Sequence, residues 1–214
     1  MPEKPTIYRR NLPHIHPDNY PIFFTFNLVD SLPVEIVKQL RSQRELELKS
    51  ANSKDRQYGS DERYFAKYDE WLDRCEHGPH WLQSENIAKI VVDEIHRMEN
   101  ERYLLMAYCI MPNHVHLLIR SLLREQLRHK GKTAKFPVAD TMRLLKGRTA
   151  RLANLELNRN GSFWHHESYD HYVRNEDELT RTILYIINNP VKAGLVREWK
   201  DWKFTYVNSE WGGW

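Results

Sequence analysis

The chain has 214 residues, 41% hydrophobic and 12% aromatic, enough to bury the core of one domain of ordinary size. A charged fraction of 29% and a mean hydropathy of -0.72 describe a wet surface, and no run approaches the roughly 18 apolar residues of a membrane span. The net charge of +3 is unevenly placed: between Arg120 and Arg151 ten basic residues face only Glu125 and Asp140. Such a stretch suits a phosphate backbone, although a solvated loop followed by an ordinary basic helix has the same composition. The opening Met-Pro-Glu-Lys-Pro lacks the apolar stretch of a secretion signal. A cytoplasmic protein with no membrane partner is therefore expected, and Cys75 and Cys109, which match no metal-ligand spacing, are expected to be reduced.

Taken in chain order, Tyr20 to Leu28 is apolar, aromatic and bounded by prolines, and reads as a buried strand. Pro33 to Leu48 has helical spacing at Val34, Ile36, Val37 and Leu40, with Pro at its start. Residues 49 to 80 turn polar and charged with interspersed aromatics, and read as an insertion carrying one short helix. Ser84 is a candidate N-cap for a helix with Ile87, Ile90, Val91, Ile95 and Met98 on one face. Tyr103 to Ile110 and His114 to Arg120 are two strand-like runs joined by Met-Pro-Asn, which predicts an antiparallel hairpin. Pro137 to Leu157 has helical spacing with Arg143, Lys146, Arg148 and Arg151 interleaved. A strand over Tyr169 to Val173 and a helix from Asn175 to Asn188 follow. The chain is read as one domain over 1–214, with its insertion near residues 45–80 and a short tail over 203–214. The tail sequence Trp211-Gly-Gly-Trp214 points to no particular role.

Alternate side chains of a strand share a face, so His114 and His116 point the same way, about 6–7 Å apart, and can share one metal. By itself this pattern is weak. His14-Ile15-His16 repeats it in a Pro-rich segment and reads as incidental surface. On the last helix Tyr185 and Asn189 are four residues apart and share a face, roughly opposite the stripe of Leu179, Ile183, Ile186 and Ile187. Tyr185 alone reads equally as a surface aromatic, and Asn189 before Pro190 as a helix stop.

Three ordered blocks carry a resemblance: Tyr108 to Ile119 (YCIMPNHVHLLI), Gly161 to Arg174 (GSFWHHESYDHYVR) and Tyr185 to Val196 (YIINNPVKAGLV). Together they resemble the REP-associated tyrosine transposases, a branch of the single-tyrosine HUH nucleases, over about Trp81 to Trp202. The resemblance implies an α+β fold with a ferredoxin-like antiparallel sheet and packed helices, the histidine pair lying on a central strand. It implies a metal-dependent enzyme that nicks and rejoins hairpin-containing single-stranded DNA. In it Tyr185 is the nucleophile, His114, His116 and Asn189 hold a divalent metal, Mg²⁺ or Mn²⁺, and the product is a 5′-phosphotyrosine link. A tyrosine hydroxyl with pKa near 10 needs such help to attack phosphorus at neutral pH. Arg143, Lys146, Arg148 and Arg151 are expected to contact phosphates. His165, His166, Glu167, Asp170 and His171 form a second polar cluster that could support the ligands or act as a general base. A hairpin-binding protein that does not cut and a metal-dependent hydrolase using water are the rival readings. Monomer and homodimer both stay open, as does whether Tyr185 serves its own or a partner's site.

Overall fold

A computed structural model of the chain describes residues 6–9, 13–17, 19–50, 54–122, 126–127, 131 and 137–211. A hairpin of β1 (Thr6–Arg9) and β2 (Pro13–His16) leads into β3 (Pro21–Asn27), followed by the helices α1 (Val34–Ser50), α2 (Lys54–Asp73) and α3 (Glu85–Met98). Then come β4 (Tyr103–Ile110), β5 (His114–Ser121), α4 (Pro137–Glu156), β6 (Tyr169–Tyr172), α5 (Glu176–Lys192) and β7 (Thr205–Val207). The fold is α+β. Five strands form one antiparallel sheet in the order β6-β3-β5-β4-β7, with the histidine strand β5 at its centre.

The period of two in the strands divides the apolar residues between two layers. Phe24 and Phe26 of β3 and Val115, Leu117 and Ile119 of β5 join Ile87, Val91 and Ile95 of α3 and Leu145 of α4 in one core. On the other face Phe23 and Leu118 meet Ile183, Ile186 and Ile187 of α5. The histidines share that second face, so α5 is the helix that can reach them. Ser84 stands at the N-cap of α3 as its sequence suggests, but its side chain makes no cap bond. Asn175 does cap α5, accepting from the Glu178 backbone N–H.

Four features differ from the sequence reading. The helix within the expected insertion is not short: α2 runs for 20 residues, because Phe65, Asp69 and Leu72 are buried along one helical face and dock it on the sheet. Helix α5 does not stop at Asn189 but continues through Pro190 to Lys192. A proline in the last turn forfeits one backbone bond, and the Ala193 N–H still bonds to the Asn189 carbonyl at 2.9 Å. The strand β7, which the sequence does not announce, covers the edge of β4. His16 is not incidental surface: it lies on β2, is 2% exposed, and its Nε2 is 2.7 Å from Asp170 Oδ2. The side chain of His14 lies outside the described residues, as do Met1 to Pro5, Arg124, Arg128, Lys130, Lys132 and Lys135 of the basic segment, and Gly212 to Trp214 of the tail. Among the described residues no helix is long and apolar enough to cross a membrane, and Cys75 and Cys109 are both free thiols.

Candidate metal centre and nucleophile

His114 and His116 are fully buried, and their side chains converge: the two Nε2 atoms are 2.9 Å apart. The other nitrogen of each ring is occupied. His114 Nδ1 bonds the Asn113 side-chain carbonyl at 2.7 Å, and His116 Nδ1 bonds Thr25 Oγ1 at 3.0 Å. Because Asn113 Oδ1 can only accept, it fixes the His114 proton on Nδ1 and leaves Nε2 with a lone pair. Thr25 in turn donates to Asp69 Oδ2 at 3.1 Å, so its oxygen is free to accept from His116 Nδ1 in the same sense. Two lone pairs thus face one point. Burial, and then the neighbouring His114, lower the His116 pKa to about 4, which keeps the ring neutral and able to bind metal at pH 7.

Asp73, the last residue of α2, completes the group. Its Oδ1 is 3.5 Å from both Nε2 atoms, and the three side chains form a buried set able to hold one metal ion. In the metal-free protein burial raises the Asp73 pKa, but an Nε2 proton and its charge on His114 or His116 outweigh it and hold the carboxyl below the ordinary range; a cation at the same point would take that proton's place. An ionised carboxylate beside two neutral imidazoles is the protonation state that cation binding requires.

Asn189 is placed by α5 against the same point. Its Nδ2 is 3.1 Å from His116 Nε2 and 2.9 Å from Asp73 Oδ1, while its buried Oδ1 has no partner among the described residues. Turning the amide over would replace Nδ2 by Oδ1 at the histidines, so this orphaned oxygen fits a fourth donor to a cation. The mixed nitrogen and oxygen donor set suits a divalent metal.

Tyr185 lies beside this group, and neither it nor Asn189 faces outward as the helical wheel suggests. The Tyr185 ring packs edge-on to His116 at 5.1 Å and to Phe23 at 6.0 Å, and Asn189 is 1% exposed. A straight wheel misses this because that flank meets His116 on β5 and Asp73 at the end of α2. The Tyr185 hydroxyl donates to Asp73 Oδ2 at 3.2 Å. Burial, followed by the charges of Asp69 and Asp73, pushes the Tyr185 pKa far above 10. Lys192, two turns further along α5, places Nζ 3.0 Å from Asp73 Oδ2 and 5.8 Å from the Tyr185 ring centre. Asp73, Thr25, Asp69, Asn113 and Lys192 were not identified from sequence. The spacing of Asp69 and Asp73, one helical turn apart, was visible, but the segment holding them read as an insertion.

The other expected site residues lie elsewhere. Asp170 bonds His16 and His171 bonds Glu178 at 2.7 Å, while His166 is 81% exposed and has Glu167 at 3.8 Å. The His165 backbone N–H bonds Asn27, and its lowered pKa comes mainly from burial. Asp170 and His171 are on β6 at the sheet edge, which β3 separates from the histidine strand β5. The four basic residues are on α4, across the sheet from the metal centre. Arg143 pairs with Asp140 at 2.7 Å and Arg148 with Glu94 at 2.8 Å. Lys146 donates to the His165 carbonyl and Ser168 Oγ, and thereby ties down the segment before β6. Arg151 is exposed and lines a groove with Arg97, Arg102, Arg143 and Arg148 between α3 and α4.

No protein-family model matches the chain. A curated Haemophilus influenzae protein, assigned provisionally to the REP-associated tyrosine transposases, is 28% identical over 117 residues. That match covers 50% of this chain and 66% of the relative. A solved structure of a REP-associated tyrosine transposase bound to a REP hairpin superposes with a TM-score of 0.53 at 16% identity, over 92% of this chain and 80% of that one. At such identity the superposition speaks for the fold alone, while the sequence match is carried by the curated relative. In sequence and in fold, therefore, this chain is similar to the REP-associated tyrosine transposases.

Proposed function

We propose that the chain is a divalent-metal-dependent enzyme that cuts and rejoins single-stranded DNA bearing a hairpin, with Tyr185 as nucleophile in its own chain's site. The observation that carries this reading is the division of labour within one carboxylate. Asp73 Oδ1 faces the two histidines, and Asp73 Oδ2 receives the Tyr185 hydroxyl.

A cation bound by His114, His116, Asp73 and the Asn189 amide oxygen would polarise the scissile phosphate and offset charge developing on its oxygens. The protein's own groups do the rest. Tyr185 Oη attacks phosphorus as its proton passes to Asp73 Oδ2, the bond from phosphorus to the 3′-oxygen breaks, and that oxygen leaves as a 3′-hydroxyl with the proton that Asp73 gives up through solvent. A 5′-phosphotyrosine results, and attack by a second 3′-hydroxyl reverses the step without ATP. The high Tyr185 pKa means that the phenol is not ionised beforehand, so proton removal and attack proceed together. Lys192 Nζ, beside both Asp73 Oδ2 and the Tyr185 ring, supplies positive charge where phosphate must approach.

The test is to incubate the protein with single-stranded hairpin oligonucleotides and Mg²⁺ or Mn²⁺ and to look for a protein–DNA adduct that survives denaturation. Tyr185→Phe and His114→Ala should abolish it. An adduct persisting in Tyr185→Phe overturns the nucleophile. Cleavage without any adduct favours hydrolysis by water, and binding without cleavage favours a hairpin-binding protein.

A further inference from the structure

We propose that a cavity enclosed by α1, α2, β3 and β6 receives one unstacked base of the DNA strand, next to the metal centre. The proposal rests on the reading of the substrate as single-stranded DNA, and it concerns a site remote from the basic groove between α3 and α4.

The cavity measures about 230 Å³. Pockets that bury whole drug-sized ligands run to roughly 300–1,000 Å³, so this one has room for a single ring system. Part of its wall is aromatic, beside the charged Arg44, Glu45 and Glu167: Phe65 stacks on Tyr169 with ring centres 3.8 Å apart, and Tyr64 stands edge-on to Phe65 at 5.2 Å. Aromatic rings can hold the face of a base whatever its identity. A gap left by loose core packing would be lined by aliphatic and aromatic groups alone. Here Asp69, 7% exposed, also lines the space. One carboxyl oxygen, Oδ2, accepts from Thr25, and the other, Oδ1, is buried with no hydrogen-bond partner among the described residues.

A buried carboxyl oxygen without a partner is costly, and base edges carry the N–H groups and acceptors that would satisfy it. Arg41 also lines the cavity, is exposed and makes no ion pair among the described residues, so it can meet the phosphate of the same nucleotide.

Position ties the cavity to the reaction. Thr25 Oγ1 is 3.1 Å from Asp69 Oδ2 on the cavity side and 3.0 Å from His116 Nδ1 on the metal side. A single side chain separates the two spaces. A base held in the cavity therefore belongs to a nucleotide close to the phosphate being cut, and holding it sets the register of the nick.

The experiment maps the nicked phosphate by adduct formation and then replaces each nearby nucleotide in turn with an abasic one. With the unmodified protein, one position should lower the adduct rate about 5- to 150-fold, the worth of one base stack on aromatic rings. Tyr64→Ala should lower the rate on the intact strand by a similar factor and no longer distinguish the abasic strand. Arg41→Ala, which leaves the walls intact, should weaken binding while keeping the abasic penalty. If no position is sensitive, or if Tyr64→Ala keeps the full penalty, the pocket is wrong. Should no strand form an adduct, the nuclease reading fails, and 2-aminopurine placed along the same strands tests the pocket alone. Emission quenched on binding at one position and restored by Tyr64→Ala supports it; quenching unchanged by that substitution overturns it.

Discussion

The Nε2 atoms of His114 and His116 stand 2.9 Å apart with their other ring nitrogens committed to Asn113 and Thr25. Two acceptor lone pairs at that distance repel unless a proton or a cation lies between them. Lowering the pKa of His116 weakens the proton's claim, which leaves the cation. Addition of Mn²⁺ at about a hundred times its dissociation constant should therefore stabilise the protein by about 3 kcal/mol and raise its melting temperature by roughly 5–10 °C. His114→Ala should remove this shift. An unchanged shift in that variant, read by calorimetry, would move the metal elsewhere.

Asp73 separates this site from a bare histidine pair, because its carboxylate is the only acidic group within reach of both imidazoles among the described residues. Asp73→Asn keeps the shape and removes the charge and the proton acceptor. Metal affinity should fall at least tenfold, and adduct formation should fall further than affinity explains, because the Tyr185 proton loses its acceptor. Measuring the adduct rate at saturating Mn²⁺ separates the two effects: full recovery of rate there would confine Asp73 to metal binding.

Much of this arrangement was legible in the sequence, and the reason is local. Alternation in β5 put both histidines on one face, and helical spacing in α5 put Tyr185 and Asn189 on another, without any knowledge of the fold. Asp73 was hidden because its role depends on α2 reaching the sheet, a contact carried by Phe65 and Tyr169 across more than a hundred residues of chain. Nor could a helical wheel show that Asn189 is interior, since the groups it meets are His116 on β5 and Asp73 at the end of α2. The basic residues of α4 were legible in their charge and only partly in their partners. Their charge was visible, and so was Asp140 one turn before Arg143 on the same helix, but Glu94, which pairs with Arg148, becomes a neighbour only after α3 and α4 pack.

Thr25 connects the metal centre to Asp69 and accepts from His116 Nδ1, so it orients a ligand without touching the metal. Thr25→Val preserves the shape of the β-branched side chain and removes the hydroxyl. It leaves the buried His116 N–H without an acceptor, and groups in this position typically change metal affinity 10–100-fold. Titration with Mn²⁺ should show a loss of that size, with the fold intact by circular dichroism. Unchanged affinity would mean that packing against Phe23 alone, stacked on His116 at 5.5 Å, holds the ring.

The metal-free protein should become less stable in mild acid. His116 takes up a proton at pH 6.5 in the unfolded chain but only near pH 4 when folded, chiefly because of burial and then because of His114. Between these values the unfolded state binds more protons, so stability rises with pH, is complete above pH 6.5 and is lost as pH falls toward 4. The full difference is about 3 kcal/mol. Urea unfolding in chelator at pH 7.5 and pH 4.5 should show most of it, and His116→Asn should flatten the profile. A profile as steep in the variant would assign the acid sensitivity to other groups.

The position of Asp73 depends finally on the loop that follows α2. Gly78 has φ +74°, a conformation that L side chains rarely adopt, and a Cβ built there would lie 2.2 Å from the Asp30 carbonyl oxygen. The loop thus presses against the turn between β3 and α1 with no space for a methyl group. Gly78→Ala must pay for the strained backbone and displace the Asp30 turn, at a cost of about 2 kcal/mol or more. Because Asp73 is only five residues away at the end of α2, moving this loop should also move its carboxylate. The expected result is a lower melting temperature together with weaker Mn²⁺ binding, and restoring the melting temperature with a stabilising substitution elsewhere should leave the binding defect in place. Binding that recovered along with stability would show that the loop supports the fold but does not aim Asp73.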